Sequence, residues 1–400
     1  MKSITRCTHH TVRAILASAA GILLLSACGG GEVPPSAFPG ITVDGSSAYL
    51  ASNTIVYKLD VQSAVENWRF PTIPDTANPR GPFSGQPIKF GDTIVVGGST
   101  GANGAYDKHL YGITEASGQE AWRFTPPGDK GREFVDGAVT DGKLIYAPNG
   151  DGNLYAIDPA QKENNQPKLI WTFNTTNRLW GKPLLVDGTL YQGALDHKLY
   201  AIEAATGKEL WRFEASSAPI AAQPTLKDGV LYVGAFDSNF YAVNAKDGSL
   251  KWKTVVDGWV WTGASVTSDA VYFGDVRGKL YALDLATGQR NWTYETRDTI
   301  KAQPVISGTT MVVVSVDTNV YAFDLKDIRK DATGKVDFNN TKWQNITIGR
   351  RMYSTPAIVG DAILIPIFDG DIKVWMLDVN TGSRKNQFPL PPPATPAPGK

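Results

Sequence analysis

Apolar residues in this chain come in short runs, and no run keeps a helical period. Between residues 182 and 213 the pattern can be read strand by strand. Lys182–Val186 and Leu190–Gly193 are separated by Asp187-Gly188, Leu199–Glu203 follows Leu195-Asp196-His197-Lys198, and Glu209–Phe213 follows Ala205-Thr206-Gly207-Lys208. Runs rich in Val, Ile, Leu and Tyr, broken by Asp-Gly or Thr-Gly, predict antiparallel hairpins, with glycine supplying positive φ at the turns.

The same sentence returns along the chain. Its clearest copies are Leu190–Phe213, Leu231–Thr254 and Val271–Tyr294. A closing tryptophan recurs at Trp68, Trp122, Trp171, Trp211, Trp252, Trp292 and Trp343, and an eighth copy is read as ending at Phe388. Four strands in a unit of 40 to 54 residues predict propeller blades. The predicted fold is all-β: a single eight-bladed β-propeller of four-stranded antiparallel blades over residues 39–389. These eight rings are expected to pack blade against blade, because a blade buries its faces only against its neighbours. One tryptophan buries about 200 Å², a gross contribution of about 5 kcal/mol. The first and last units both show four strands, which leaves the mode of ring closure open.

The N-terminus reads as a targeting segment. Lys2, Arg6 and Arg13 precede the apolar stretch Ala14–Leu25, and Leu25-Ser26-Ala27-Cys28 matches a bacterial lipobox. Residues 1–27 are therefore expected to be a lipoprotein signal peptide, Cys28 the lipidated residue and residues 28–38 a tether. Glycine rather than aspartate at positions 29 and 30 favours the outer membrane, periplasmic face, if the source is Gram-negative. Cys7 would leave with the signal, so the mature chain could form no internal disulfide. Residues 390–400 are Pro-rich and expected to be extended.

After cleavage 36 basic side chains face 39 acidic ones, and no basic stripe suggests a nucleic-acid partner. The mature chain has two histidines, His109 and His197, read as hairpin residues at one repeat position; no metal site or Ser-His-Asp arrangement is expected. Asp151, Asp196, Asp237, Asp275, Asp317 and Asp369 recur between the second and third strands and are expected to cap turns. A second series, Asp60, Asp158, Asp284, Asp324 and Asp378, lies ahead of the closing strand.

Ala282-Leu283-Asp284…Thr287-Gly288…Trp292 carries the pattern A-x-D-x-x-T-G-x-x-x-W, repeated with Glu203 or Asn244 for the acid. In this it resembles the tryptophan-docking motif of the quinoprotein (PQQ-like) propellers, over residues 38–389. Within them the chain is similar to the eight-bladed BamB lipoproteins of the outer-membrane β-barrel assembly machinery. That resemblance implies a non-catalytic scaffold, monomeric within a complex, meeting an envelope protein partner such as the β-barrel insertion machinery. The family's partner-binding loop finds its nearest counterpart here in Ala215–Pro219, without the hydrophobic-Arg portion. The related alcohol dehydrogenases use pyrroloquinoline quinone (PQQ) with calcium and an adjacent Cys-Cys disulfide, a pair this chain lacks. No cofactor is therefore expected. The alternative is a propeller that holds a quinone or sugar at the channel mouth, with a redox link.

Function must then reside where blades differ. The segments joining one blade's last strand to the next blade's first carry Arg80, Phe83 and Glu133. They also carry the candidate binding face: Arg132, Arg178, Trp180, Trp259, Trp261, Lys301, Arg350, Arg351 and Tyr353. Arginine with aromatics is a hot-spot composition. An insert in the seventh unit, Lys326–Thr341, is polar and expected to be solvated.

Overall fold

The computed structural model describes residues 39–389 apart from 74–79, 103–104, 129–131, 215, 338–340 and 344. The lipobox, Cys28, the tether and the Pro-rich tail lie outside the described residues. The described chain is all-β, in eight four-stranded antiparallel sheets. Blades 1 to 8 span 40–70, 84–124, 139–174, 184–213, 225–255, 265–295, 305–347 and 357–388. In every blade the strands lie side by side in chain order.

The core is divided among the eight interfaces between blades. Leu231, Val233 and Tyr241 of blade 5, for example, pack with Leu199, Ala201 and Phe213 of blade 4. The ring closes in the same way, with no strand exchanged between the two ends: Leu364, Val374, Met376 and Phe388 pack against Ile41, Leu50, Tyr57 and Leu59.

Each letter of the repeated motif has a contact. The indole N–H of Trp252 donates to the Leu285 carbonyl of the next blade at 3.0 Å, and Trp68, Trp171, Trp211 and Trp343 donate likewise to Glu115, Ala204, Ala245 and Val379. The glycine of the receiving Thr-Gly turn is the seat for that ring. A Cβ on Gly288 would lie 2.5 Å from a Trp252 ring carbon, and Gly207, Gly248 and Gly382 are equally close to Trp171, Trp211 and Trp343. The Asp284 carboxylate accepts from the Ala286 and Thr287 amides and the Thr287 hydroxyl, which fixes the turn that presents the glycine.

The eighth slot differs from the sequence reading. Asn386 pairs with Met376 as Trp292 pairs with Ala282, so Asn386 holds the docking position and Phe388 lies two residues beyond it. Phe388 packs edge-on against Tyr57 at 5.1 Å, while the Asn386 amide donates to the Ser63 carbonyl at 3.1 Å. The receiving turn explains the change. Blade 1 carries Ala64 at φ 57 where blades 2, 4, 5, 6 and 8 have glycine, and its Cβ occupies space that an indole would need.

The blade 7 insert also departs from expectation. It lies along the outermost strand of blade 6, where Thr293 N–H donates to the Gly334 carbonyl at 3.0 Å and Val336 N–H to the Thr293 carbonyl at 2.7 Å. Val336 is buried with Trp292 and Tyr294. Val336, with Ile328 packed against the same cluster and two edge hydrogen bonds, seats the segment.

Candidate functional site at the channel mouth

The innermost strands begin with a residue before proline or a small residue, and these residues surround the central channel. Gln86, Asp136, Lys182, Gln223 and Gln303 line a cavity of about 460 Å³. Side-chain amides tie adjacent strands together: Gln86 donates to the Ile41 carbonyl at 3.1 Å and Gln303 to the Ala264 carbonyl at 2.9 Å. Lys182 reaches past blade 3 and donates to Gln86 Oε1 at 2.8 Å, while its own amide donates to Asp136 Oδ2 at 3.2 Å. Burial pushes the Lys182 ammonium down from its usual value, against the opposing pull of the Asp136 charge.

At the mouth four rings stand in one stack. Trp180 and Trp261 are 5.8 Å apart at 29°, Trp261 and Phe236 5.0 Å at 27°, and Phe236 and Trp259 5.4 Å at 14°. The Lys301 ammonium lies 5.0 Å from the Trp261 ring and 5.4 Å from that of Tyr353, and desolvation lowers its pKa. Tyr353 meets Phe368 edge-on at 5.0 Å, and Arg351 lies over both rings while pairing with Asp369 at 3.3 Å. Cations over aromatic faces contribute about 0.5–2 kcal/mol each, so this network is already ordered before anything binds.

Six of the nine candidate residues thus converge: Trp180, Trp259, Trp261, Lys301, Arg351 and Tyr353. The remaining three have other contacts. The Arg132 and Arg178 carbonyls accept from Asn149 Nδ2 and from the Leu195 amide, and Arg350 lies beneath Gly370 in the last hairpin. Phe83 is fully buried in the interface of blades 1 and 2. Phe236 and Phe368 were not found from the sequence. Each precedes a recurring aspartate, where blades 4, 6 and 7 carry Leu195, Val276 and Val316, so an aromatic there was the available signal.

The recurring acids work largely as structure. Asp151, Asp196, Asp237 and Asp317 accept the phenol of Tyr155, Tyr200, Tyr241 and Tyr321 at 2.5–2.6 Å. Asp237 and Asp317 also accept amides of their own turn and of the preceding linker. Asp275 does not belong to this series. It stands two residues earlier, in the place of Ala235, with Arg277 at the usual acid position. It is fully buried and accepts from the Arg277 and Lys279 amides and from Tyr281. The histidines are not equivalent either: His109 is a buried strand residue between Thr100 and Thr125, whereas His197 sits in a turn at φ 74. Among the described residues no group of three or more His, Cys, Asp or Glu could hold a metal.

The family model described as outer membrane protein assembly factor BamB matches residues 162–298 and 256–396, together more than half of the chain. The chain belongs to this BamB family. A BamB of Nitrosomonas eutropha is 30% identical over 186 residues, covering 46% of this chain and 34% of that protein. A BamB of Burkholderia pseudomallei is 25% identical over 35% of this chain and 32% of its own length. A quinohemoprotein alcohol dehydrogenase of Pseudomonas putida, ADH IIB, is 31% identical over 39% of the chain but 18% of the enzyme. The matched stretches thus span about a third of the curated BamB relatives. The crystal structure of BamB from Moraxella catarrhalis superposes with a TM-score of 0.64 over 84% of this chain and 92% of that one, at 16% identity; that likeness concerns fold alone.

Proposed function

We propose that this chain is a lipid-anchored, non-catalytic propeller of the bacterial cell envelope. It assists assembly of outer-membrane β-barrel proteins through protein–protein contacts. Cys28 carries the lipid, at the periplasmic face of the outer membrane if the source is Gram-negative. The observation that carries the reading is the stack at the channel mouth, with Trp259 39% exposed and Lys301, Tyr353 and Arg351 beside it. Rigid aromatics with a cation form the kind of anchor that dominates protein interfaces. Membership of the BamB family supplies the partner class.

A second reading is favoured by the cavity below the stack. Its lining includes Lys108, Lys182 and Lys301 against Glu133 and Asp136, suited to a small polar or anionic molecule such as a quinone or sugar. The proposed scaffold function calls for no resident cofactor.

The test is capture of the lipidated protein from mildly solubilised envelopes, read by mass spectrometry. The barrel-insertion protein should be recovered with the wild type and depleted at least tenfold with Trp261→Ala/Lys301→Ala. Its absence from the wild-type capture, with bait intact, overturns the assembly reading. Equal recovery with the double variant overturns the role of the mouth.

A further inference from the structure

The docked insert of blade 7 shows what the outer rim of this propeller accepts. Its residues 334–336 run parallel to the outermost strand of blade 6 and bond both the N–H and the C=O of Thr293. Lys335 adds an ion pair to Glu295 at 2.7 Å, and the Lys330 ammonium bonds the Asn291 carbonyl at 2.9 Å. Blade 6 is in effect a five-stranded sheet whose last strand is borrowed from its neighbour.

Blade 5 has the same edge without the borrowed strand. Lys253 pairs with Tyr241 as Thr293 pairs with Tyr281, so its N–H and C=O point outward as those of Thr293 do. Among the described residues no backbone partner takes them. Beside them Leu250 is 43% and Val255 69% exposed, and Lys251 and Lys253 are exposed as well. The strand Leu250–Val255 therefore presents apolar and basic side chains along an edge that is open at Lys253, with the Val255 carbonyl beyond it accepting from Arg290 at 3.3 Å. Such edges recruit extended chain unless they are covered.

We propose that the outer edge of blade 5 binds an extended polypeptide segment in which acidic and β-branched residues alternate, as an added strand paired through Lys253. The occupant follows from the two features present: the pairing is the one the insert makes on blade 6, and the two lysines select acidic side chains over basic ones. This surface lies on the outer rim, distinct from the channel mouth, and does not rest on the assembly reading.

The probe is a fluorescent peptide of alternating valine and glutamate, titrated by anisotropy onto the full chain, with a valine–lysine peptide as control. The acidic peptide should bind and protect the Lys253 amide from hydrogen exchange; the basic peptide should bind at least tenfold more weakly. Lys253→Pro removes the donor and is tolerated on an edge strand. It should weaken binding at least tenfold with an unchanged unfolding midpoint. Lys251→Glu/Lys253→Glu should abolish binding without touching the backbone. Binding unaffected by Lys253→Pro overturns strand pairing, even where the charge reversal abolishes it. Absence of binding at millimolar peptide, or equal binding of both peptides, overturns the proposal outright.

Discussion

Replacing Gly288 by alanine separates the two reasons for a glycine in the repeated turn. Gly288 has φ 72, where an L side chain costs about 1–2 kcal/mol. Its added Cβ would also lie 2.5 Å from Trp252 Cε3 and 2.9 Å from Thr254 Oγ1. The ring must withdraw, which strains or breaks the hydrogen bond to Leu285, a loss of about 1 kcal/mol. It also opens an interface where large-to-small changes cost about 3–5 kcal/mol in full; a partial withdrawal forfeits roughly a third of that. The sum is about 3–5 kcal/mol. Gly229 is the control, with φ 73 and nothing within 4 Å of an added Cβ, so Gly229→Ala should cost about 1–2 kcal/mol from backbone conformation alone. Urea unfolding followed by tryptophan fluorescence and circular dichroism measures both. In a Trp252→Ala background only the Thr254 hydroxyl stays in the way, and Gly288→Ala should fall toward the cost of the control, a coupling of about 2 kcal/mol. Equal costs for the two glycines, or no coupling to Trp252, would refute the view that the motif's glycine exists to seat the preceding blade's indole.

The eighth interface gives the converse experiment. Asn386→Trp alone should lower the urea midpoint, because Ala64 fills the seat. Adding Ala64→Gly should recover at least the wild-type value, and a double variant no better than the single one would show that Ala64 is not the obstacle. Asp275 gives a pH signature. Burial holds its carboxyl above the ordinary carboxylate value, with the N–H and phenol donors opposing. The folded state therefore keeps this proton more tightly than the unfolded chain. The stability it contributes is complete below the unfolded value of about 3.9 and is lost as pH rises through the folded value. Asp275→Asn should gain on the wild type as pH climbs from about 4 to 7, and a constant difference across that range would count against it.

Much of this fold was legible because it is written eight times. The turn glycines and docking tryptophans follow from spacing, and the blade 4 strands agree to within two residues, the first beginning at Leu184 rather than Lys182. The eighth slot was misplaced because an aromatic was sought where spacing from Thr381-Gly382 already indicates Asn386. Asp275 was grouped with its neighbours although alignment of Gly274–Leu280 with Gly234–Phe240 places it two residues before the usual acid. The insert was read as solvated because, among its described residues, only the apolar Val336 is well buried. Of the site, the linker aromatics and Lys301 were visible as departures from the repeat. Phe236 and Phe368 differed only as aromatics where blades 4, 6 and 7 carry aliphatic residues, and only the fold brings them to the linkers.

Repetition also explains why binding and stability can be separated in this molecule. Repeated residues are committed to the interfaces between blades, where each change is felt by two sheets. None of Trp180, Trp259, Trp261, Lys301 or Tyr353 belongs to any of the eight interface clusters. They stack on one another at the mouth, so removing one loses contacts at a half-open surface and opens no cavity between blades. Trp261→Ala should therefore cost clearly less stability than Trp252→Ala, although the same side chain is deleted. The open edge at Lys253 is separable for a different reason: its outward N–H and C=O serve no interface. Residues that break the repeat are free to diverge in this architecture, and those at the mouth do so without disturbing an interface between blades.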